Sequence, residues 1–171
     1  MPAPRLILVT GPPRSGKTTL VMKLIERLPE LRAAGFYTGE IRERGQRKGF
    51  KLISLSGEQG VLSHVDIQSP HRVGKYRIDL DGFEDFLNKI SFDAADVAVI
   101  DEIGKMEELS PLFRELIGDL IASDRTVIAT IALKGDRFIE GIKKTPGARL
   151  FSITRENRDA VLEEIASMLG A

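Results

Sequence analysis

Apolar positions along this chain fall into two alternating patterns, and each predicts its own kind of element. Leu6-Ile7-Leu8-Val9 is an unbroken apolar run between Pro4 and Gly11, which predicts a short strand buried on both faces. Leu20, Val21, Leu24, Ile25 and Leu28 then recur at helical spacing, on a helix that stops before Pro29. From Gly35 to Asp79 the pattern changes. Phe36-Tyr37-Thr38, Phe50, Leu52-Ile53, Val61-Leu62 and Tyr76-Arg77-Ile78 are separated by turns at Gly45, Gly49, Gly57-Glu58, Gly60 and Gly74. This predicts a strand-and-hairpin insertion after the first helix.

Phe83, Phe86, Leu87 and Ile90 next share one helical face, with Asp81 and Glu84 spaced as a capping pair. Val97-Ala98-Val99-Ile100 predicts a second buried strand, ending on Asp101-Glu102. Ser110-Pro111 has the order of a helix cap followed by proline at the first helical position. The helix it opens presents Leu109, Leu112, Phe113, Leu116, Ile117, Leu120 and Ile121 on one side. Thr126 to Leu133 and Ala148 to Ile153 read as two further strands. Thr154 caps a last helix with Val161, Leu162, Ile165, Met168 and Leu169 inward. Buried strands alternating with helices predict an α/β domain, a mostly parallel sheet flanked by helices with the β-hairpin-rich insertion on one side. No repeat, low-complexity stretch or linker interrupts this pattern, so residues 1–171 read as a single domain.

Length and charge narrow the function. A chain of 171 residues is about one domain long and buries roughly 70% of its unfolded surface without staples. Lys plus Arg (25) cancels Asp plus Glu (25), so there is no positive excess for coating nucleic acid. Aromatics are 6% with no Trp, a poor basis for a base-stacking platform. The lack of cysteine excludes disulfides, thiolate metal sites and thiol nucleophiles, and fits a reducing compartment. No apolar run is longer than Val97–Ile100, which is far short of a membrane span. Met1-Pro2-Ala3-Pro4-Arg5 holds no apolar signal-peptide core. The expectation is a soluble cytoplasmic monomer, without a membrane or a nucleic-acid surface.

Chemistry enters between the first strand and first helix. Gly11-Pro12-Pro13-Arg14-Ser15-Gly16-Lys17-Thr18 satisfies G-x-x-x-x-G-K-[ST] in the context that motif requires. Glycines at 11 and 16 let the backbone turn tightly toward a phosphate, and loop N–H groups with the helix dipole form an anion nest. Lys17 then reaches the β- and γ-phosphates, the Thr18 hydroxyl ligates Mg²⁺, and Thr19 helps hold the α-phosphate. Val97–Ile100 followed by Asp101-Glu102 resembles a Walker B strand, with both carboxylates at the strand's carboxyl end where ligands gather in a parallel sheet. Asp101 is assigned to Mg²⁺ through water. Glu102 is assigned as the general base that polarises the attacking water.

A nucleotide switch would use much of the same set. Asp101-Glu102-Ile103-Gly104 spells D-x-x-G, and Leu133-Lys134-Gly135-Asp136 nearly spells the guanine-reading N-K-x-D. Leu133 lacks the amide that Asn offers guanine, and Lys105 stands where a switch carries its water-positioning Gln. Loss of the base-specific contact predicts weak discrimination among bases.

Taken together, Gly11–Thr18, Gly35-Phe36-Tyr37-Thr38-Gly39-Glu40-Ile41-Arg42, Arg47-Lys48-Gly49-Phe50 and Val73-Gly74-Lys75-Tyr76 resemble a known family. So do Asp101-Glu102-Ile103-Gly104-Lys105-Met106-Glu107 and Thr154-Arg155-Glu156-Asn157-Arg158. It is that of the small P-loop nucleoside-triphosphatases first described from thermophiles (THEP-type, also called cancer-related nucleoside-triphosphatase). The resemblance implies a RecA-like fold and Mg²⁺-dependent hydrolysis of ATP, GTP, CTP and UTP to diphosphate and phosphate. It also implies two nucleotide-contacting segments, Gly11–Thr18 and Val97-Ala98-Val99-Ile100-Asp101-Glu102-Ile103-Gly104. Gly39, where relatives often carry Glu, and the stiff Pro12-Pro13 are departures that remove no catalytic group.

Several charged residues carry two readings. Arg47 or Lys48 either sits on a solvated hairpin or folds over the triphosphate as an arginine finger does, and Arg14 is a similar candidate. Lys105 contacts phosphate or pairs with Glu107 or Glu108. Asn157 and Arg158 line a base pocket or cap the last helix. His64 and His71 have no third ligand nearby and read as ordinary polar residues. The alternatives to a hydrolase are a nucleoside or small-molecule kinase, which moves phosphate to an acceptor other than water, and a non-enzymatic switch.

Overall fold

The structure, a computed structural model, describes residues 3–171; Met1 and Pro2 of the opening segment lie outside them. The run Leu6–Thr10 forms β1, buried along its whole length. Its side chains alternate between two core layers. Leu6 and Leu8 pack in one with Phe83, Phe86, Phe113, Ile117, Ile139 and Ile142; Ile7 and Val9 pack in the other with Leu20, Leu24, Val161 and Ile165. A strand that must satisfy apolar layers on both faces carries no polar alternation, which is why β1 reads as a continuous apolar run.

The elements follow in the order α1 (Lys17–Glu26), β2 (Ala33–Glu43), β3 (Gln46–Ser54), β4 (Gln59–His64), β5 (Arg72–Val73), β6 (Tyr76–Ile78) and α2 (Leu80–Asn88). Then come β7 (Val97–Ile103), a 3-10 turn (Glu107–Leu109), α3 (Pro111–Ala122), β8 (Thr126–Ile131), α4 (Arg137–Lys143), β9 (Ala148–Ser152) and α5 (Arg158–Met168). Among the described residues one sheet has the order β5-β6-β4-β3-β2-β7-β8-β1-β9. β2, β7, β8, β1 and β9 run parallel to one another, whereas β3, β4, β5 and β6 form an antiparallel arm that begins at β2. This is the expected α/β layering, with α2, α3 and α4 on one face and α1 and α5 on the other. No helix among the described residues is long and apolar enough to cross a membrane.

The Gly35–Asp79 stretch differs from a self-contained insertion. The first part of β2 pairs in parallel with Val97–Ile100, so it belongs to the central sheet, and the same strand continues past Phe36 to pair antiparallel with β3. One long strand therefore joins the parallel core to the arm. At the join, Gly35 has φ +140° and a Cβ there would stand 1.8 Å from the Val99 carbonyl oxygen.

Capping also departs from expectation. Asp79, not Asp81, caps α2 by accepting from the Gly82 N–H. Glu84 instead reaches α3, where its carboxylate accepts from the Ser110 hydroxyl and the Leu112 N–H. Ser110 caps α3 with Pro111 following it, as expected, but Leu109 lies in the 3-10 turn and is exposed. At α5 the turn begins at Thr154, whose hydroxyl accepts from the Asn157 N–H while Asn157 Oδ1 accepts from the Thr154 N–H; the helix itself starts at Arg158. α4 has no counterpart among the expected elements, because seven residues are too few to display a helical period.

Candidate active site

β1 ends at Thr10 and the loop from Gly11 delivers the chain into α1 at Lys17. Gly16 takes φ +93°, and the place a Cβ would occupy is filled by the Arg158 side chain, 2.4 Å away at its nearest atom. The Lys17 ammonium lies across its own loop, donating to the Gly11 carbonyl at 2.9 Å and the Pro12 carbonyl at 3.3 Å. The N-terminus of α1 thus carries a cation, backbone donors and the positive end of the helix dipole together.

β7 brings the carboxylates to this point. Asp101 is 3% exposed. One of its oxygens accepts from Thr18 Oγ1 at 2.5 Å and the other from Thr130 Oγ1 at 2.6 Å. Burial pushes its carboxyl up, opposed by the two hydroxyls, the Lys17 charge and the Thr38 N–H. The Asp101–Glu102 peptide is cis. Glu102 is pushed up to about 6, first by burial and then by the neighbouring Asp101 charge, against the pull of Lys17. Glu107, from the 3-10 turn, is held well above the usual carboxylate range by burial and then by Glu102.

These groups border a cavity of about 330 Å³. Its lining combines polar side chains, Lys17, Thr18, Thr38, Asp101, Glu102, Lys105 and Glu107, with the apolar Phe50, Leu62, Val73, Met106 and Ala132. Lys17, Thr18, Asp101 and Glu102 are thus brought together on one cavity wall. Pro12, Pro13, Arg14 and Thr19 are exposed, while Ser15 is buried. Val97 and Val99 pack into one core layer and Ala98, Ile100 and Ile103 into the other, so these side chains support the strand that presents Asp101. Gly104 lies beside Glu102 and Glu107.

The residues with two readings separate. Arg47 is tied down: its Nε donates to the Tyr76 hydroxyl at 2.8 Å, it pairs with Glu40, and its guanidinium lies over the Phe50 and Tyr76 rings. Lys48 is half-buried in β3, and its carbonyl accepts from the Val65 N–H. Arg14 offers its carbonyl to Arg155 Nε at 3.2 Å, and Arg158 packs on Gly16, so the start of α5 docks onto the phosphate loop. Asp136 is engaged in capping α4, accepting from the Phe138 and Ile139 N–H groups, while Leu133 is exposed. The near-guanine motif is thus a helix start. His64 lies near Glu43 and Asp66, and among the described residues no three His, Cys, Asp or Glu side chains gather to hold a metal.

Sequence reasoning missed Thr130, Thr38, Glu107 and Arg155. Thr130 had a signal, being a hydroxyl in the interior of the apolar run Val127–Ile131. Glu107 closes the block that begins with Asp101-Glu102, yet a buried acid looks like any surface glutamate in sequence.

A family model described as NTPase matches residues 6–166. The chain is 46% identical over 167 residues to nucleoside-triphosphatase THEP1 of Thermotoga sp. strain RQ2, covering 95% of this chain and 94% of that protein. It is 36% identical over 181 residues to the human protein called cancer-related nucleoside-triphosphatase, with 95% of each covered. The crystal structure of THEP1 from Aquifex aeolicus superposes with a TM-score of 0.86 at 38% identity, covering 96% of this chain and 99% of that one.

Proposed function

The chain belongs to the NTPase family, and from that footing we propose that it hydrolyses nucleoside triphosphates to diphosphate and phosphate, using Mg²⁺ and discriminating little among ATP, GTP, CTP and UTP. We propose further that it acts as a single-domain cytoplasmic monomer. The observation that carries the catalytic reading is the convergence of Lys17, Thr18, Asp101 and Glu102 on the wall of a single cavity.

Each residue has a separable task. The loop amides and the α1 dipole bind the polyphosphate, and Lys17 offsets charge on its β- and γ-phosphates. The Thr18 hydroxyl and the Asp101 carboxylate would hold magnesium. They are hard oxygen donors, and this ion takes only one or two protein oxygens beside phosphates and water, so the donor set fits without a three-acid cluster. When bound, magnesium neutralises charge on the phosphate oxygens. Glu102 accepts a proton from the attacking water while the bond between the γ-phosphorus and the bridging oxygen breaks. Its raised pKa of about 6 suits a base that works near neutral pH. The base tolerance rests on Leu133 replacing a guanine-reading amide and on Asp136 being used as a cap.

The test is phosphate release from each of the four nucleoside triphosphates with Mg²⁺ and no other acceptor. Release from all four is expected. Release from GTP alone would replace this reading with a switch, and none without an added alcohol would replace it with a kinase.

A further inference from the structure

The residues that the sequence offers for reading a base, Asp136, Asn157 and Arg158, are committed elsewhere. Asp136 Oδ1 accepts from the Phe138 and Ile139 N–H groups at the start of α4. Asn157 Oδ1 accepts from the Thr154 N–H at 2.7 Å, and its Nδ2 donates to the Ser152 carbonyl at 3.1 Å, so its amide is used up in the turn before α5. Arg158 belongs to the phosphate loop instead. Its Cδ and Nη1 fill the place of a Cβ on Gly16. Its Nε is buried without a hydrogen-bond partner among the described residues, and Asp159 comes only within 3.7 Å of it.

Arg155 acts on the same loop, where its Nε donates to the Arg14 carbonyl at 3.2 Å. Arg14 takes φ +63° and Gly16 φ +93°, so both left-handed residues of the loop are touched by an arginine from the opening of α5. A residue with a side chain, such as Arg14, keeps that conformation only where its surroundings hold it. The two arginines thus brace the backbone whose N–H groups form the anion nest, and they add two positive charges to that of Lys17. Every one of these contacts concerns the phosphate chain, and none calls for a ribose or a base.

Resting on the triphosphatase reading of this site, we propose that the protein also hydrolyses inorganic tripolyphosphate, with Arg155 and Arg158 as positioning residues that hold the loop around it. Water attacks a terminal phosphorus, and its proton passes to the Glu102 carboxylate. The bond from that phosphorus to the bridging oxygen breaks, leaving diphosphate and phosphate, and Glu102 returns its proton to solvent. The anhydride that breaks has the same chemistry as in a nucleoside triphosphate, so Lys17, Thr18, Asp101 and Glu102 keep their tasks.

A site that hydrogen-bonds a substrate group rejects the analogue lacking it by about 10⁴–10⁵-fold. With no such bond to the nucleoside, kcat/KM for tripolyphosphate with Mg²⁺ is expected within about 10²-fold of that for ATP, with diphosphate and phosphate read by phosphorus NMR. Glu102→Gln should slow both substrates alike. Arg155→Met and Arg158→Met should raise KM for both by one factor, about tenfold, with kcat and melting temperature near the parent's, and Arg155→Lys should recover part of the loss. A wider gap between substrates, with phosphate still released from ATP, overturns the proposal and leaves the triphosphatase reading standing. Tripolyphosphate cleavage that survives Glu102→Gln while ATP hydrolysis falls overturns it too, because it then occurs outside this site. A KM rise for ATP alone, or for neither substrate, overturns the positioning role of the arginines. No phosphate from either substrate overturns both readings.

Discussion

Thr18 Oγ1 donates to Asp101 Oδ2 at 2.5 Å, joining the start of α1 to the end of β7 across 83 residues of chain. The carboxylate is nearly inaccessible and is held on its other oxygen by Thr130. Replacing Thr18 with Val removes the hydroxyl and keeps the volume. The expected result is a folded protein whose Mg²⁺ requirement for phosphate release rises by about 10–100-fold, read by titrating Mg²⁺ at fixed nucleotide. An unchanged requirement takes Thr18 out of the metal site. Lys17→Ala, in contrast, should weaken nucleotide binding and turnover together, because its charge faces the phosphates in both ground and transition states.

Glu102→Gln should separate binding from chemistry. Nucleotide affinity is expected to hold while single-turnover phosphate release drops by about 10²-fold or more. The parent's kcat/KM should rise with pH through about 6, since the base works only when ionised and burial has raised its pKa to that value. The variant should lack that inflection. Equal rates in parent and variant would sink the assignment.

Glu108 gives a pH effect on stability alone. It is buried, its Oε2 finds no hydrogen-bond partner among fixed donors, and burial together with the neighbouring Asp136 carboxylate raises it from 4.5 to about 7. The folded state therefore keeps a proton that the unfolded chain releases, so this group's contribution is full below 4.5 and is lost as pH climbs to about 7. Glu108→Gln retains a donor toward Asp136 and does not titrate. It should melt like the parent near the lower end of that window and progressively higher toward its top, by no more than about 3 kcal/mol. Thermal melts across the window decide it; an offset independent of pH would show the proton is not involved.

Gly35→Ala should be severe. The added methyl would stand 1.8 Å from the Val99 carbonyl oxygen, within a parallel pair that both backbones are committed to. A loss on the order of 4–5 kcal/mol is expected, measured by denaturant unfolding. A variant within about 1 kcal/mol of the parent would mean that β2 and β7 can separate locally at this point.

Much of the architecture was readable from neighbours in the chain. The phosphate loop is a run of eight residues whose glycines, lysine and threonine act through local backbone geometry, and the Ser110-Pro111 cap is equally local. Buried strands announced themselves because both faces of Leu6–Thr10 and Val97–Ile100 must be apolar. By itself, then, the order of residues determined the alternating α/β elements, the phosphate loop and the acidic strand end. Tertiary structure alone decided that β2 serves both halves of the sheet, that Glu84 caps a helix other than its own, that Thr130 completes the hold on Asp101, and that β3, β4 and β5 wall the space beside Glu102. The physical reason is range. Period, capping and turn preferences act over a few residues, whereas desolvation and the pairing of distant strands depend on which surfaces meet when the sheet closes.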